Sequence, residues 1–120
     1  MIKTVFLLKK RPGMSTEEFR AYYENTHARI GERVLPTAER YFRRFLNPFP
    51  PPAPGQAVEN DVDVITEIWF KDRATFDAAM AHLQEPAIAA LIAADEENLF
   101  DRSKIRAFTV EERESSLTKP

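Results

Sequence analysis

The stretch DVDVITEIWF, residues 61–70, is the clearest β-strand in the sequence and decides how the chain folds. β-Branched and aromatic residues dominate it, and successive side chains of a strand point to opposite faces. One face is almost entirely apolar and comprises Val62, Val64, Thr66, Ile68 and Phe70. The other face combines two apolar and two acidic residues, Ile65, Trp69, Asp63 and Glu67. The pattern predicts a strand whose first face packs against helices in the core.

Three weaker strands and a proline-rich connection surround this stretch. The strands are predicted at residues 2–9, 39–47 and 104–110, which contain β-branched or aromatic residues at short intervals. Five of the nine prolines lie within residues 48–54. Proline has no backbone N–H for a sheet hydrogen bond and favours extended polyproline geometry. We therefore expect this segment to be a connection and not a strand.

Two helical regions are predicted between the strands. Ser15 and Glu18 have the spacing of a capping box, so a helix is expected to begin after Ser15 and to run to about Val34. Pro36 prevents its continuation. The second region is split: Asp72 can cap a helix over residues 73–84, and Pro86 suits the first turn of another over residues 86–100.

The resulting order, β-α-β-β-α-β, is typical of the ferredoxin-like fold. The sequence thus predicts an α+β protein with an antiparallel sheet and helices on one face only. The 120 residues fit a single domain, which we place at residues 1–112. Residues 113–120 are polar and are expected to form a loose C-terminal tail.

The first strand carries apolar residues on both faces. Ile2, Phe6 and Leu8 lie on one side, and Val5 and Leu7 lie on the other. A strand that is apolar on both sides is normally covered on both sides. Because the helices can cover one face only, we expect a second copy to cover the other, sheet against sheet, in a homodimer. The alternative is a monomer with some exposed apolar surface.

Composition excludes several classes of function. A net charge of −2 disfavours non-specific binding to nucleic acid or to anionic membranes. No apolar run approaches the roughly 18–20 residues that cross a bilayer, and the start of the chain is too short for a signal peptide. Cysteine is absent, so we expect a cytoplasmic protein without disulfides or thiolate chemistry. With only two histidines, a histidine-rich metal site is not expected.

His27 is the residue most suited to chemistry. It lies in EEFRAYYENTHARI, residues 17–30, at the edge of an apolar helical stripe formed by Phe19, Tyr23, Thr26, Ile30 and Val34. An imidazole exchanges protons near neutral pH. Two interpretations remain open: His27 is a packed residue that hydrogen-bonds a carbonyl or carboxylate, or it lines a cavity and moves a proton. Tyr23 is either a core residue or a group that orients a substrate.

Three further residues are candidate substrate contacts. Asp95 lies within the apolar stripe of the last helix, where it either bonds a neighbouring polar group or acts near a ligand. Glu67 and Trp69 share one face of the third strand. That face either meets a partner subunit or borders the cavity, where Glu67 would pair with His27. The other histidine, His82, is expected on the surface.

Three stretches together resemble the EthD family. They are LLKKRPGMSTEEFRAYYENTHA at 7–28, EIWFKDRATF at 67–76 and ADEENLFDRSKIRAFTVEE at 94–112. The resemblance extends over roughly residues 2–112, in the family's order. Its most specific part is a D-x-x-N-x-F-D run, formed here by Asp95, Asn98, Phe100 and Asp101.

This resemblance implies a dimeric α/β barrel, in which two ferredoxin-like subunits place their sheets together and each keeps a cavity between its sheet and helices. It also places His27, which matches the family's helix histidine, near that cavity. Members of the family take part in the breakdown of small organic compounds, and similar domains act in aromatic polyketide processing. Relatives include cofactor-free isomerases, cyclases, dehydratases and monooxygenases.

Parts of the sequence are also similar to the methylmuconolactone methylisomerases. Those enzymes use a histidine on the same helix and a cysteine between the glutamate and the tryptophan of the third strand. Ile68 occupies that position here, between Glu67 and Trp69. Because the thiol is missing, we do not expect that particular isomerase chemistry.

The first hypothesis is a cofactor-free enzyme that transfers protons in a small apolar or aromatic carbonyl compound, as in isomerisation, dehydration or cyclisation. His27 is the predicted catalytic residue, and the predicted substrate contacts are Tyr23, Glu67, Trp69 and Asp95. No metal or other cofactor is expected. The second hypothesis is a non-catalytic dimer that binds a small ligand or assists a catabolic oxidase. A purely structural dimer would fill the cavity with side chains.

Overall fold

A computed structural model describes residues 1–119 of the chain. Four strands form one sheet: β1 (Ile2–Leu8), β2 (Arg40–Phe45), β3 (Val64–Phe70) and β4 (Arg106–Thr109). Their spatial order is β2-β3-β1-β4, and every neighbouring pair is antiparallel. This arrangement confirms the predicted α+β, ferredoxin-like fold with its antiparallel sheet.

The helices occupy the predicted regions. They are α1 (Thr16–Tyr22), α2 (Ala28–Val34), α3 (Arg73–Leu83) and α4 (Pro86–Glu97), with a short 3₁₀ turn at Arg102–Lys104 before β4. The predicted capping box is present, because Ser15 Oγ accepts the Glu18 N–H and Glu18 Oε1 accepts the Ser15 N–H, both at 3.1 Å. These bonds satisfy backbone donors that every helix leaves free at its start.

The helix predicted from Ser15 to Val34 is interrupted. A π-helical turn, Tyr23–His27, separates α1 from α2, and the Ala28 N–H donates to the Tyr23 carbonyl five residues earlier. A π turn adds one residue to the helical cycle and rotates every later side chain relative to the earlier ones. A uniform α-helical period over this region was therefore the wrong expectation.

The register of the sheet separates its two faces. β1 pairs with β3 so that Thr4 is opposite Ile68, and Phe6 is opposite Thr66. These residues face the helices, and Leu8, Val64 and Phe70 share that side. The core contains two clusters of buried residues, one around Phe19, Tyr23, Leu99 and Phe100 and the other around Ile68, Phe70 and Ala79.

The opposite side of the sheet, the open face, carries a mixture of aromatic, aliphatic and charged side chains. It comprises Lys3, Val5, Leu7, Arg40, Phe42, Arg44, Ile65, Glu67, Trp69, Arg106 and Phe108. The Phe42 and Trp69 rings pack at 5.5 Å between centroids, and Lys3 Nζ lies 3.9 Å from the centroid of the Trp69 ring. Within the chain itself, the apolar residues on this side are only partly buried, and Phe108 is exposed.

Candidate functional site

A cavity of about 150 Å³ lies between the sheet and the helices. Its lining is mainly apolar and draws on both core clusters. The lining residues are Thr4, Phe6, Leu8, Tyr23, His27, Ile30, Gly31, Val34, Leu35, Tyr41, Thr66, Ile68, Phe70, Met80, Leu83, Ile92, Asp95, Glu96, Phe100 and Ile105. An apolar cavity of this volume holds a molecule the size of benzene.

His27 and Asp95 form a hydrogen-bonded pair at this cavity. His27 Nδ1 lies 2.5 Å from Asp95 Oδ2. A carboxylate can only accept, so Nδ1 carries the proton of this bond. The Asp95 side chain is 4% exposed and that of His27 is 17% exposed. Nε2 makes no hydrogen bond to any residue within 1–119, so its lone pair is unused by the described part of the chain, and His27 lines the cavity.

The second oxygen of Asp95 is also bonded. Tyr22 Oη donates to Asp95 Oδ1 at 2.8 Å, and Asn98 Nδ2 donates to Tyr22 Oη at 3.2 Å. Burial and the bond to Asp95 together raise the pKa of Tyr22, so its hydroxyl stays protonated and acts as a donor. The buried carboxylate is thus held by two donors from different residues, and its orientation toward His27 is fixed.

The π turn makes this arrangement possible. Tyr22 and His27 are five residues apart, a separation that an α-helix places about 140° apart around its axis. A π turn, with its i→i+5 hydrogen bonds, has more residues per turn and so brings residues five apart toward the same side of the helix. Both side chains therefore reach the same carboxylate of α4.

Two aromatic rings hold the imidazole in place. The Tyr23 ring packs edge-on to the His27 ring at 4.7 Å between centroids, and the Phe100 ring does so at 5.1 Å. Tyr23 and Phe100 are themselves buried, at 0% and 3% exposure. With Asp95 on one ring nitrogen and aromatic rings against its faces and edges, His27 has little freedom to rotate.

Tyr23 uses its hydroxyl to bond the sheet. Its Oη is hydrogen-bonded to Thr66 Oγ1 on β3, and Tyr41 Oη on β2 lies 3.4 Å away. Burial is the main reason that the pKa values of Tyr23 and Tyr41 are raised, so both remain neutral phenols. Tyr23 therefore connects the helix to the floor of the cavity.

Gly31 makes room for Tyr41. A Cβ atom placed on Gly31 would lie 2.9 Å from the Tyr41 ring and from its hydroxyl oxygen. A contact this short requires one of the two groups to move. The absence of a side chain at position 31 thus allows the Tyr41 phenol to pack against α2 beside the cavity.

Glu96 is a second carboxyl group in the cavity wall. Its side chain is 22% exposed, and the nearest cation is Arg102, with Nε 3.8 Å from Oε1. Burial raises the pKa of Glu96, and the attraction of Arg102 only partly offsets this. Its charged form is therefore less stable in the folded protein than in water.

The structure brings together three of the five residues predicted for the site. His27, Tyr23 and Asp95 all line the cavity. Glu67 and Trp69 do not, because they lie on the open face, where Trp69 Nε1 and Arg44 both donate to Glu67 Oε2 at 2.9 Å. Burial alone would raise the pKa of Glu67, but these bonds outweigh it and lower the value. Of the two alternatives left open for Glu67, the one in which it borders the cavity and pairs with His27 is wrong, because the sheet lies between them.

Sequence reasoning assigned no site role to several cavity or network residues, among them Tyr22, Thr4, Tyr41 and Glu96. Tyr22 had a weak sequence signal, because it is next to Tyr23 at the edge of the apolar stripe. A regular α-helix would not direct its side chain toward the carboxylate that His27 also reaches. Thr4 also carried one, as a hydroxyl among apolar residues on the helix-facing side of β1. For Tyr41 and Glu96 the sequence has no distinctive pattern.

The chain was compared with known families and structures. The EthD domain family matches residues 11–103, well over half of the chain. The chain belongs to the EthD family. A search of curated proteins gave no match.

Among solved structures, three are similar along nearly the whole chain. An ethyl tert-butyl ether D family protein from Bacillus halodurans C-125 has a TM-score of 0.61 at 18% identity, with 94% of this chain and 100% of that one covered. HapK from Hahella chejuensis has a TM-score of 0.59 at 16% identity, with 100% of both chains covered. At3g17210 from Arabidopsis thaliana has a TM-score of 0.62 at 14% identity, with 98% of this chain and 100% of that one covered. At these identities the likeness establishes the fold.

Residues 1–119 contain neither a cluster of potential metal ligands nor a membrane-spanning helix. No group of three or more histidine, aspartate or glutamate side chains in that range is arranged to hold a metal ion. None of the helices there combines the length and apolar character needed to cross a bilayer.

The tautomer of His27 is the first testable property of the site. We expect the neutral ring to carry its proton on Nδ1 in the wild type, because Asp95 accepts there. Asp95→Asn should weaken this preference, since an uncharged amide can either accept or donate. Long-range ¹H–¹⁵N NMR of the ring nitrogens measures the tautomer, and Asp77→Asn on exposed α3 is the control. A wild-type ring protonated on Nε2 would contradict the assignment.

The raised pKa of Glu96 predicts that the stability of the folded protein depends on pH. Below the ordinary carboxyl pKa of 4.5 the group is protonated in both folded and unfolded chains. As pH rises through the raised folded-state pKa, the unfolded chain ionises more readily, so the folded state loses stability. Glu96→Gln removes this loss. We expect the free energy of unfolding of Glu96→Gln, relative to wild type, to increase from pH 4 to pH 7 in urea denaturation.

The control is Glu97→Gln, which removes an exposed carboxylate that also lies near Arg102, at 3.3 Å from Nη1. The explanation fails if the two variants change in the same way with pH, because proximity to Arg102 would then account for the effect.

Proposed function

We propose that this EthD-family protein is an enzyme that transfers protons in small apolar or aromatic carbonyl compounds, with His27 as its general base and acid. The observation that supports this most directly is the pair formed by His27 Nδ1 and the buried Asp95 carboxylate at 2.5 Å. A carboxylate on one ring nitrogen selects the tautomer in which the other nitrogen can accept a proton.

The proposed step needs only groups of the protein. Nε2 takes a proton from a carbon next to the carbonyl group, and the electron pair of that C–H bond moves toward the carbonyl oxygen. The imidazolium that forms is stabilised by Asp95. Return of the proton to the same carbon regenerates the substrate, and return to a different atom gives an isomer.

The lining of the cavity supports the choice of substrate class. It is mainly apolar and has a volume suited to one aromatic ring. Apolar surroundings strengthen the interaction between the imidazolium and Asp95 because they exclude water. The aromatic rings of Tyr23 and Phe100, packed against His27, hold the base ready before the substrate arrives.

We also propose that two copies associate through the open face. The partly buried aromatic and aliphatic side chains there, Phe42 and Trp69 among them, are those that protein interfaces favour. Glu67 is neutralised by Arg44 and hydrogen-bonded to Trp69, so it can enter such an interface with its charge compensated. In this arrangement Glu67 and Trp69 belong to the dimer contact and not to the substrate.

The catalytic proposal is tested by proton exchange. In D₂O, we expect the wild type to incorporate deuterium next to the carbonyl group of a small aromatic ketone, measured by ¹H NMR over a panel of such compounds. His27→Ala should lower the rate by roughly 10²–10⁴-fold, the usual contribution of a positioned acid–base group. His82→Ala is the matched control, because His82 is the other histidine and lies outside the cavity lining.

Ligand binding is followed in parallel by chemical-shift changes of the cavity residues. If wild type and His27→Ala exchange deuterium equally, His27 has no catalytic role. If both bind aromatic ketones and neither promotes exchange, the protein is the non-catalytic ligand-binding module, and the enzyme proposal is discarded.

The dimer is tested by mass. Light scattering on the eluting wild-type protein is expected to give twice the chain mass of 13.8 kDa. Trp69→Asp places a second, unpaired carboxylate in the centre of the open face and should give the monomer mass without loss of the circular dichroism of the folded chain. Phe49→Asp removes an aromatic that is 97% exposed in the proline-rich loop and should leave the dimer intact. A monomeric wild type would refute the association.

A further inference from the structure

Thr4 has a buried hydroxyl without a partner. Its side chain is on β1 and the residue is 5% exposed. Among the buried side-chain nitrogen and oxygen atoms of residues 1–119, Thr4 Oγ1 is the one that makes no hydrogen bond. A buried hydroxyl that lacks a partner destabilises a protein, so a valine would be the more stable residue at such a site. A function that needs the hydroxyl would account for its presence.

The position of Thr4 relates it to the site. Thr4 faces the helices, opposite Ile68 in the register of the sheet, and both residues line the cavity that also contains His27. Of its neighbours on that face of the sheet, Phe6 and Ile68 are apolar, and Thr109, opposite Thr4 on β4, does not line the cavity. Thr4 thus contributes a hydroxyl to an otherwise apolar part of the cavity floor.

The other hydroxyl groups of the cavity floor already have partners. Tyr23 Oη and Thr66 Oγ1 are bonded to each other. Tyr41 Oη has a weaker contact, 3.4 Å from Tyr23 Oη, which is longer than the usual O–H···O distance. Thr4 is therefore the hydroxyl with its full hydrogen-bonding capacity unused, and Tyr41 is the one competitor on the floor.

We propose that Thr4 Oγ1 binds the oxygen atom of the substrate and so selects carbonyl compounds over hydrocarbons of the same shape. This inference rests on the proposed function and specifies its substrate contact. When His27 Nε2 takes the proton, the C–H electron pair forms a carbon–carbon double bond and the carbonyl π electrons move to oxygen. The Thr4 hydroxyl donates to that oxygen as its negative charge develops.

The side chain can make this contact by rotation. Threonine has staggered χ1 rotamers in which the hydroxyl and the methyl group exchange places. A threonine that lines the cavity can thus present its hydroxyl to a bound oxygen and its methyl group to an apolar surface when the cavity is empty.

Binding of a matched pair of ligands tests the proposal without turnover. Acetophenone and α-methylstyrene have nearly the same shape and differ in C=O against C=CH₂. We expect wild type to prefer acetophenone. Thr4→Val should weaken acetophenone binding about fivefold, the effect of one hydrogen bond, and leave α-methylstyrene unchanged. Thr4→Ser keeps the hydroxyl and should keep the preference. Titration followed by NMR measures each dissociation constant.

Thermal unfolding of the free protein gives the second measurement. Thr4→Val should raise Tm by about 3 °C, because it removes an unsatisfied buried hydroxyl. Thr66→Val, at a partnered threonine on the same face, should lower Tm because it leaves Tyr23 Oη without its main partner. If valine simply stabilised or destabilised strands in general, both substitutions would change Tm in the same direction. Changes of opposite sign therefore point to the hydrogen bonding of each hydroxyl.

Three results would overturn the proposal. One is an unchanged preference for acetophenone in Thr4→Val. Another is loss of that preference in Tyr41→Phe but not in Thr4→Val, which would assign the oxygen to Tyr41. The third is a lower Tm for Thr4→Val, which would give the hydroxyl a structural role. Failure of His27→Ala to lower deuterium exchange, with the Thr4 results as expected, would reject the enzyme and retain the ligand site.

Discussion

The buried carboxylate of Asp95 is the constraint on which this structure depends. A charge at 4% exposure is tolerated only when hydrogen bonds replace its lost water. Asp95 obtains them from His27 and Tyr22, so α4 and the π-interrupted helix must lie close enough to share one carboxylate. The same requirement holds the imidazole in one orientation. The hydrogen bonds that stabilise this buried carboxylate are thus the same ones that arrange the proposed proton-transfer site.

The cavity borders both clusters of the core. Residues from both buried clusters line it, and two buried aromatic rings pack against His27. Filling this space with larger aliphatic side chains would add contacts and stabilise the fold. Two residues of the same lining also destabilise the folded state. Thr4 has an unsatisfied buried hydroxyl, and Glu96 has a carboxyl group whose pKa is raised by burial. Both residues line the cavity that also contains His27, as expected if stability is lost there in favour of function.

The two faces of the sheet have separate roles because side chains alternate along a strand. In β3, Thr66 and Ile68 line the cavity, whereas Glu67 and Trp69, their immediate neighbours in sequence, face the other way. A shift of one residue in the register would exchange the two sets. The proposed dimer and the proposed site therefore share a strand without sharing a side chain.

The sequence alone determined the fold and part of the site. The alternating pattern of residues 61–70, the Ser15 capping box and the order of elements were local signals, and each was enough to predict the element that forms. The pattern of β3 indicated which face packs against the helices, but because both faces carry apolar residues, only the tertiary structure excluded Glu67 and Trp69 from the cavity. It also decided that Tyr22 and His27 bond the same carboxylate. That contact involves a π turn in one helix and Asp95 in α4, 68 residues after His27. Contacts of this kind depend on how distant segments pack, and no local period records them.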